Sequence, residues 1–236
     1  MESANEAFTV MLMIANVIFS WRGLSDRNFF EKFLFSPGRI LSGGEYQRLV
    51  TSGFLHANLG HLLFNMLALY SFSVGVGTEF GFGAYLVIYF GSLVAGNLLA
   101  LYIRRNDPGY RAVGASGAVC GVIYSSILIF PGSSISILFL PIAIPSWLFG
   151  ILFILVSVYG IRSGLGNIGH EAHLGGAMSG VVISVLMKPH LLSRQPLLIA
   201  ALLILTGGFL YLMVKRPELL RIRDRGGDRK GGGRRE

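Results

Sequence analysis

Three clusters of polar side chains, set in a chain otherwise suited to hydrocarbon, have the residue types that acyl transfer needs. The first is HANLGHLLFNMLALY, where His61 and Asn65 are four residues apart and share one helical face, with His56 just before them. The second is AVGASGAVCG, which places one hydroxyl, Ser116, among glycines and alanines. The third is GHEAHLGGAMSG. There Gly169, His173, Gly176 and Gly180 recur at intervals of four, three and four, which is one helical stripe. Small residues on such a stripe let a second helix approach closely, so His173 is expected against its neighbour's backbone. Polar side chains at membrane depth are costly and mark functional sites.

Taken singly, each feature has a structural explanation. A membrane-helix serine usually bonds its own i−4 carbonyl, glycine runs pack helices, and a lone histidine can serve as a hydrogen-bond donor. Together, a serine at a helix start, a histidine on a close-packed stripe and an Asn/His pair supply nucleophile, base and oxyanion donors. Other chemistries fit less well. HEAH is one residue short of H-E-x-x-H, which leaves His170 and His173 three apart with Glu171 on another face. A four-histidine metal site with His56 and His61 would lack a carboxylate at the same depth. GASGA departs from the G-x-S-x-G elbow at Ala118, and no strand precedes it. No metal and no cofactor are expected.

The elements that must position these groups follow from the spacing of charge. The chain has 236 residues, 53% hydrophobic and 14% charged, with a mean hydropathy of +0.62. A soluble domain carries about a quarter charged residues. Residues 80–103 and 112–161 hold no Lys, Arg, Asp or Glu. A spanning helix needs about 20 apolar residues, so the chain is expected to be an all-α, polytopic membrane helical bundle. Candidate spans cover 7–21, 59–78, 82–103, 114–130, 146–161, 171–187 and 196–214. Pro141 and Pro145 mark 131–145 as a loop or re-entrant piece rather than helix. The expected organisation is a membrane domain over 1–214, with a polar first loop at 22–57, and a basic tail over 215–236.

That tail carries nine of the 20 Lys and Arg and is Gly-rich, a composition typical of disorder. It suits either attraction to anionic head groups or simple solubilisation. The net charge of +8 is therefore no sign of nucleic acid, and none is expected as a partner. Glu2 and Glu6, with no basic run, do not read as a cleaved signal peptide. Cys120 is the single cysteine, which excludes an internal disulfide.

RLVTSGFLHANLGHLLFN (48–65), GASG (114–117) and AHLGG (172–176), in this order and spacing, resemble the rhomboid family of intramembrane serine proteases. The resemblance covers most of residues 45–188. It implies a six-helix core, here with a seventh C-terminal span, and a Ser–His dyad without an orienting acid. Ser116 matches the nucleophile and His173 the general base. Asn65 and His61 match the oxyanion-stabilising positions, and His56 a histidine that supports the first loop. Gly114 and Gly117 are expected to let backbone and substrate come close to Ser116. The implied substrates are single-pass or other transmembrane proteins in the lipid bilayer, reached past the 22–57 loop. An inactive, client-binding relative is the alternative.

Two positions depart from the family pattern. Gln47 precedes Arg48 where a Trp is common, and Cys120 stands where an aromatic residue packs on the histidine. The family orientation places the N-terminus inside and opens the site to the extracytoplasmic side of the cell membrane. That leaves only Lys188 and Arg194 of the 20 Lys and Arg within, against the positive-inside tendency.

Overall fold

The computed structural model describes residues 2–136, 143–163 and 169–215. Seven of the described helices correspond to the seven expected spans: α1 (Glu2–Ser25), α5 (Leu59–Phe80), α6 (Phe82–Arg104), α7 (Ser116–Ile129), α8 (Ser146–Ser163), α9 (His170–Met187) and α11 (Pro196–Lys215). Short helices α2 (Arg27–Phe33), α3 (Pro37–Gly43) and α4 (Arg48–Thr51) lie between α1 and α5, and α10 (His190–Arg194) precedes α11. By length and apolar composition α1, α5 and α6 can each cross a membrane, and α7, α8 and α11 are shorter apolar helices.

Local chemistry sets several boundaries. Asn58 caps α5 by accepting the His61 N–H at 2.8 Å, and Asp26 caps α2 by accepting from Asn28 and Phe29. Gly81, at φ 80°, ends α5 and starts α6, a backbone conformation that disfavours a side chain. Glu6 falls in the second turn of α1, toward the positive end of its dipole.

At the centre stands α7, with eleven of its fourteen residues buried, so its sequence has no polar face. It packs against α5, α6 and α9, with α1 outside α5 and with α8 and α11 beside α9. The α7–α9 contact is made by backbone. A Cβ on Gly176 would overlap the carbonyl oxygen of Gly117, and one on Gly180 would overlap Gly121. The stripe read from the sequence is therefore the seam of the bundle.

Three features go beyond the expectations. Within the polar first loop, α2, α3 and α4 fold around a fully buried Arg48. The Arg48 guanidinium donates to the carbonyls of Leu34 (2.6 Å) and Glu31 (3.0 Å) and to the Glu45 carboxylate (2.7 Å). The 131–145 segment contains a small antiparallel ribbon, Ser134–Ser136 with Ala143–Pro145, pairing Ile135 with Ile144. Its S-I-S and A-I-P alternation has the period of two that strands use. Pro141 and residues 216–236 lie outside the described residues. Finally, α1 carries a fourth buried polar cluster, Asn5, Thr9, Asn16 and Ser20. Thr9 Oγ1 meets Tyr85 OH at 3.1 Å, and Asn16 Nδ2 donates to Leu12 O at 2.8 Å.

Gly176→Ala should destabilise the protein by about 1–3 kcal/mol, because the overlapping neighbour is backbone and cannot swing aside. Gly208→Ala on α11, where a Cβ meets nothing within 4 Å, should be neutral or should stabilise by up to about 1 kcal/mol. Thermal unfolding of both variants in detergent checks this. Equal transition temperatures would mean that the α7–α9 seam can spread at no cost.

Candidate active site

The seam brings two of the three sequence clusters together. Ser116 is the first residue of α7 and His173 lies in the first turn of α9. Ser116 Oγ and His173 Nε2 are 2.7 Å apart. A neutral imidazole that accepts the hydroxyl proton at Nε2 satisfies this geometry. Since α7 starts at Ser116, its first N–H groups have no partner within the helix and carry partial positive charge beside the hydroxyl.

The segment running into Ser116 hangs on the first loop. Phe35 and Ala112 exchange main-chain bonds, with Phe35 N–H donating at 3.0 Å and Ala112 N–H at 3.3 Å. Gly114 N–H donates to Ser52 O at 3.0 Å, and Ala115 N–H to His56 Nε2 at 3.4 Å. Ser52 is tied in turn to α6, where Asn97 Nδ2 donates to Leu49 O at 2.8 Å and to Ser52 Oγ at 3.3 Å. Gly114 sits at φ 134°, which L side chains avoid. A Cβ there would lie 2.8 Å from His61 Cε1, 3.0 Å from His61 Nε2 and 3.6 Å from Ser116 Oγ. The His61 imidazole and the Ser116 hydroxyl thus flank the same glycine.

Asn65 is buried one turn further along α5 and donates from Nδ2 to His61 O at 2.9 Å. That bond uses one of the two amide N–H groups. Gly117 does not face the space over Ser116. Its Cβ direction points at Ala172 O, 3.3 Å away, so it serves the helix seam. His56 is fully buried, its ring 5.0 Å from that of His61. Burial, helped by the nearby His61, lowers its pKa from 6.5 to about 3.

Glu171 turns away from His173, as its place on the helix requires. Its carboxylate receives Arg104 Nε at 2.7 Å and Tyr110 OH at 3.3 Å. Burial, with Glu171 beside it, pushes the Tyr110 phenol pKa up. His170 packs its ring on Gly160 of α8 and lies 5.8 Å from the His173 ring. Among the described residues no three His, Cys, Asp or Glu side chains group as metal ligands.

One contact was not anticipated. Phe153 of α8 stacks on His173, with ring centroids 5.7 Å apart and planes inclined by 34°. Cys120, the residue at the family's aromatic position, is buried in α7. The four-residue spacing of Phe149 and Phe153 put an aromatic face on α8, but no local signal says which histidine it meets.

The family model for the rhomboid domain matches residues 43–190. The chain is 32% identical over 183 residues to the mitochondrial RHOMBOID-like protein 12 of Arabidopsis thaliana, covering 70% of this chain and 54% of that protein. It is 29% identical over 181 residues to the rhomboid protease GluP of Bacillus subtilis, covering 75% and 34%. It is 31% identical over 209 residues to the rhomboid protease AarA of Providencia stuartii, covering 77% and 72%. The chain thus spans about half or less of the length of the first two.

The depressed His56 pKa has a definite sign. Unfolded His56 binds a proton below about pH 6.5, whereas the folded side chain resists until about pH 3. Stability therefore falls as pH drops through that window, by up to about 2 kcal/mol at pH 5 from this residue. His56→Gln should be less stable than the parent at pH 7 yet lose less on going to pH 5. Unfolding at the two pH values checks this, and an unchanged pH slope would refute it.

Proposed function

Because the chain belongs to the rhomboid family, we propose that this integral membrane protein is a serine endopeptidase that hydrolyses peptide bonds in or near transmembrane segments of other membrane proteins. The observation that carries the reading is the 2.7 Å Ser116–His173 pair at the start of a close-packed helix. His173 takes the Ser116 proton as Oγ attacks the scissile carbonyl carbon, and the carbonyl oxygen becomes an oxyanion. The first N–H groups of α7, the second N–H of Asn65 and the His61 imidazole stabilise that charge. His173 returns the proton to the leaving amine, and water then cleaves the acyl-serine by the same route. The protein needs no cofactor for this.

A helix pairs its own peptide groups, so a spanning substrate must unwind before Ser116 can reach it. Segments with small or helix-breaking residues near the cut are favoured. The first loop, residues 22–57, flanks the approach to Ser116.

The site opens to the extracytoplasmic side of the cell membrane, with the N-terminus inside. The basic residues of the first and third loops run against the positive-inside tendency, and the pairs Arg22–Asp26, Arg48–Glu45 and Arg104–Glu171 do not change that count, because acids contribute little to it.

Turnover of a transmembrane substrate in liposomes tests the proposal. Wild type should cleave, and Ser116→Ala and His173→Ala should not. Asn65→Ala should lose about 10²–10³ in kcat, the usual cost of one oxyanion donor. Inert wild type across several substrates would favour the client-binding alternative, and cleavage by Ser116→Ala would move the search to another nucleophile.

A further inference from the structure

The histidine behind the nucleophile segment has only one consistent arrangement of its protons. Ala115 N–H can only donate, so His56 Nε2, 3.4 Å away, must accept. A neutral imidazole then carries its proton on Nδ1. Nδ1 is 2.8 Å from Ser20 Oγ, which therefore accepts. The Ser20 hydroxyl is left to donate to Phe54 O at 3.1 Å, a carbonyl that can only accept. With an obligate donor at one end and an obligate acceptor at the other, every proton in the chain from Ala115 to Phe54 is fixed. Ser20 and His56 are both fully buried, so water does not substitute for either partner.

We infer that Ser20, on α1, is a positioning residue for Ser116: by accepting from His56 Nδ1–H it holds Nε2 as the acceptor that anchors the Ala115 peptide, one residue before the nucleophile. The inference rests on the proposed role of Ser116. Without the Ser20 hydroxyl, the imidazole gains nothing from a proton on Nδ1, and the other tautomer becomes available. That tautomer points N–H at N–H across the Ala115 contact, so the anchor becomes a repulsion. Ala115 is the N-cap of α7, and its release lets the first turn and the Ser116 hydroxyl move relative to His173. Reaction rate is sensitive to such displacement, whereas substrate contacts away from Ser116 are not.

The test uses the full chain in detergent, with wild type, Ser20→Ala and Ser20→Thr compared by three readouts. These are histidine ¹⁵N shifts with His56 assigned by His56→Gln, hydrogen exchange of the Ala115 amide, and kcat and KM on a transmembrane substrate. Wild type should show Nδ1-protonated His56 and a protected Ala115 amide. Ser20→Ala should populate the Nε2-protonated form, speed Ala115 exchange and lower kcat about tenfold or more with KM little changed. Ser20→Thr, which keeps the hydroxyl, should restore all three.

An Nε2-protonated His56 in wild type, or wild-type kcat and exchange in Ser20→Ala, would overturn the inference. A kcat loss that follows thermal stability alone and is not rescued by threonine would do the same. If wild type does not cleave at all, the role of Ser116 fails first. The tautomer and the Ala115 exchange then still decide, independently of activity, whether Ser20 sets the anchor.

Discussion

The site depends on a contact in which there is almost nothing: the backbone of α7 lies against that of α9 because neither helix has a side chain at the crossing. Gly117 and Gly121 on one helix meet Gly176 and Gly180 on the other. Each glycine costs up to about 1 kcal/mol of helix propensity. In hydrocarbon, no hydrophobic effect draws helices together, so close van der Waals packing must offset that loss. The result fixes two helix starts side by side, and Ser116 and His173 are the residues at those starts. Their 2.7 Å separation follows from the seam.

A second constraint comes from polar groups that water does not reach. Each must be paired inside the protein, so polar residues become fasteners. Arg48 gathers Glu31, Leu34 and Glu45 and turns the first loop into a compact cap. Asn97 ties that cap to α6. Ser52 and His56, on the same cap, receive the N–H groups of Gly114 and Ala115. Ser116 thus has two supports, its own helix packed on α9 and its approach segment held by the cap. A change in α1, at Ser20, is connected to Ser116 through two side chains and one peptide.

How much was legible in the sequence follows from which forces act locally. The all-helical membrane bundle was readable because charge is excluded from hydrocarbon residue by residue, so the long gaps between charges mark where the helices run. The 137–142 and 164–168 segments lie outside the described residues. The close seam was readable because glycine at helical spacing has few other uses. The Ser–His approach required the two stretches to be read together, and the rhomboid resemblance did that. Which backbone Gly117 lets approach, that of α9, was not legible because sequence spacing gives its neighbours along the helix but not the direction of its open side. The α1 cluster escaped notice because Asn5, Thr9, Asn16 and Ser20 are each common at membrane-helix ends or as self-bonded residues. Their spacing of four, seven and four does set them on one helical face, and it is their partners on other elements, Tyr85 for Thr9, Tyr89 for Asn16 and His56 for Ser20, that make the stripe a fastener. The 131–145 ribbon was hidden by its prolines, which signal only that helix stops.

The most instructive miss is Phe153. The pattern of the family places an aromatic on α7 beside the histidine, and this chain has Cys120 there instead. A cysteine is too small to hold an imidazole ring, so the loss at that position predicts a loosely held His173. Instead, α8 supplies the ring, from a helix that packs beside α9 and reaches the imidazole 5.7 Å away. An aromatic face offers the imidazole area without a charge or a competing proton acceptor. That matters in a dyad with no carboxylate, where an acid near His173 would favour its charged form before the reaction begins. The one acid close in sequence, Glu171, is taken up by Arg104 and Tyr110 on the other side of α9. On the proposed mechanism, packing takes for His173 the part that an orienting aspartate plays in soluble serine hydrolases, without setting an acid beside the imidazole.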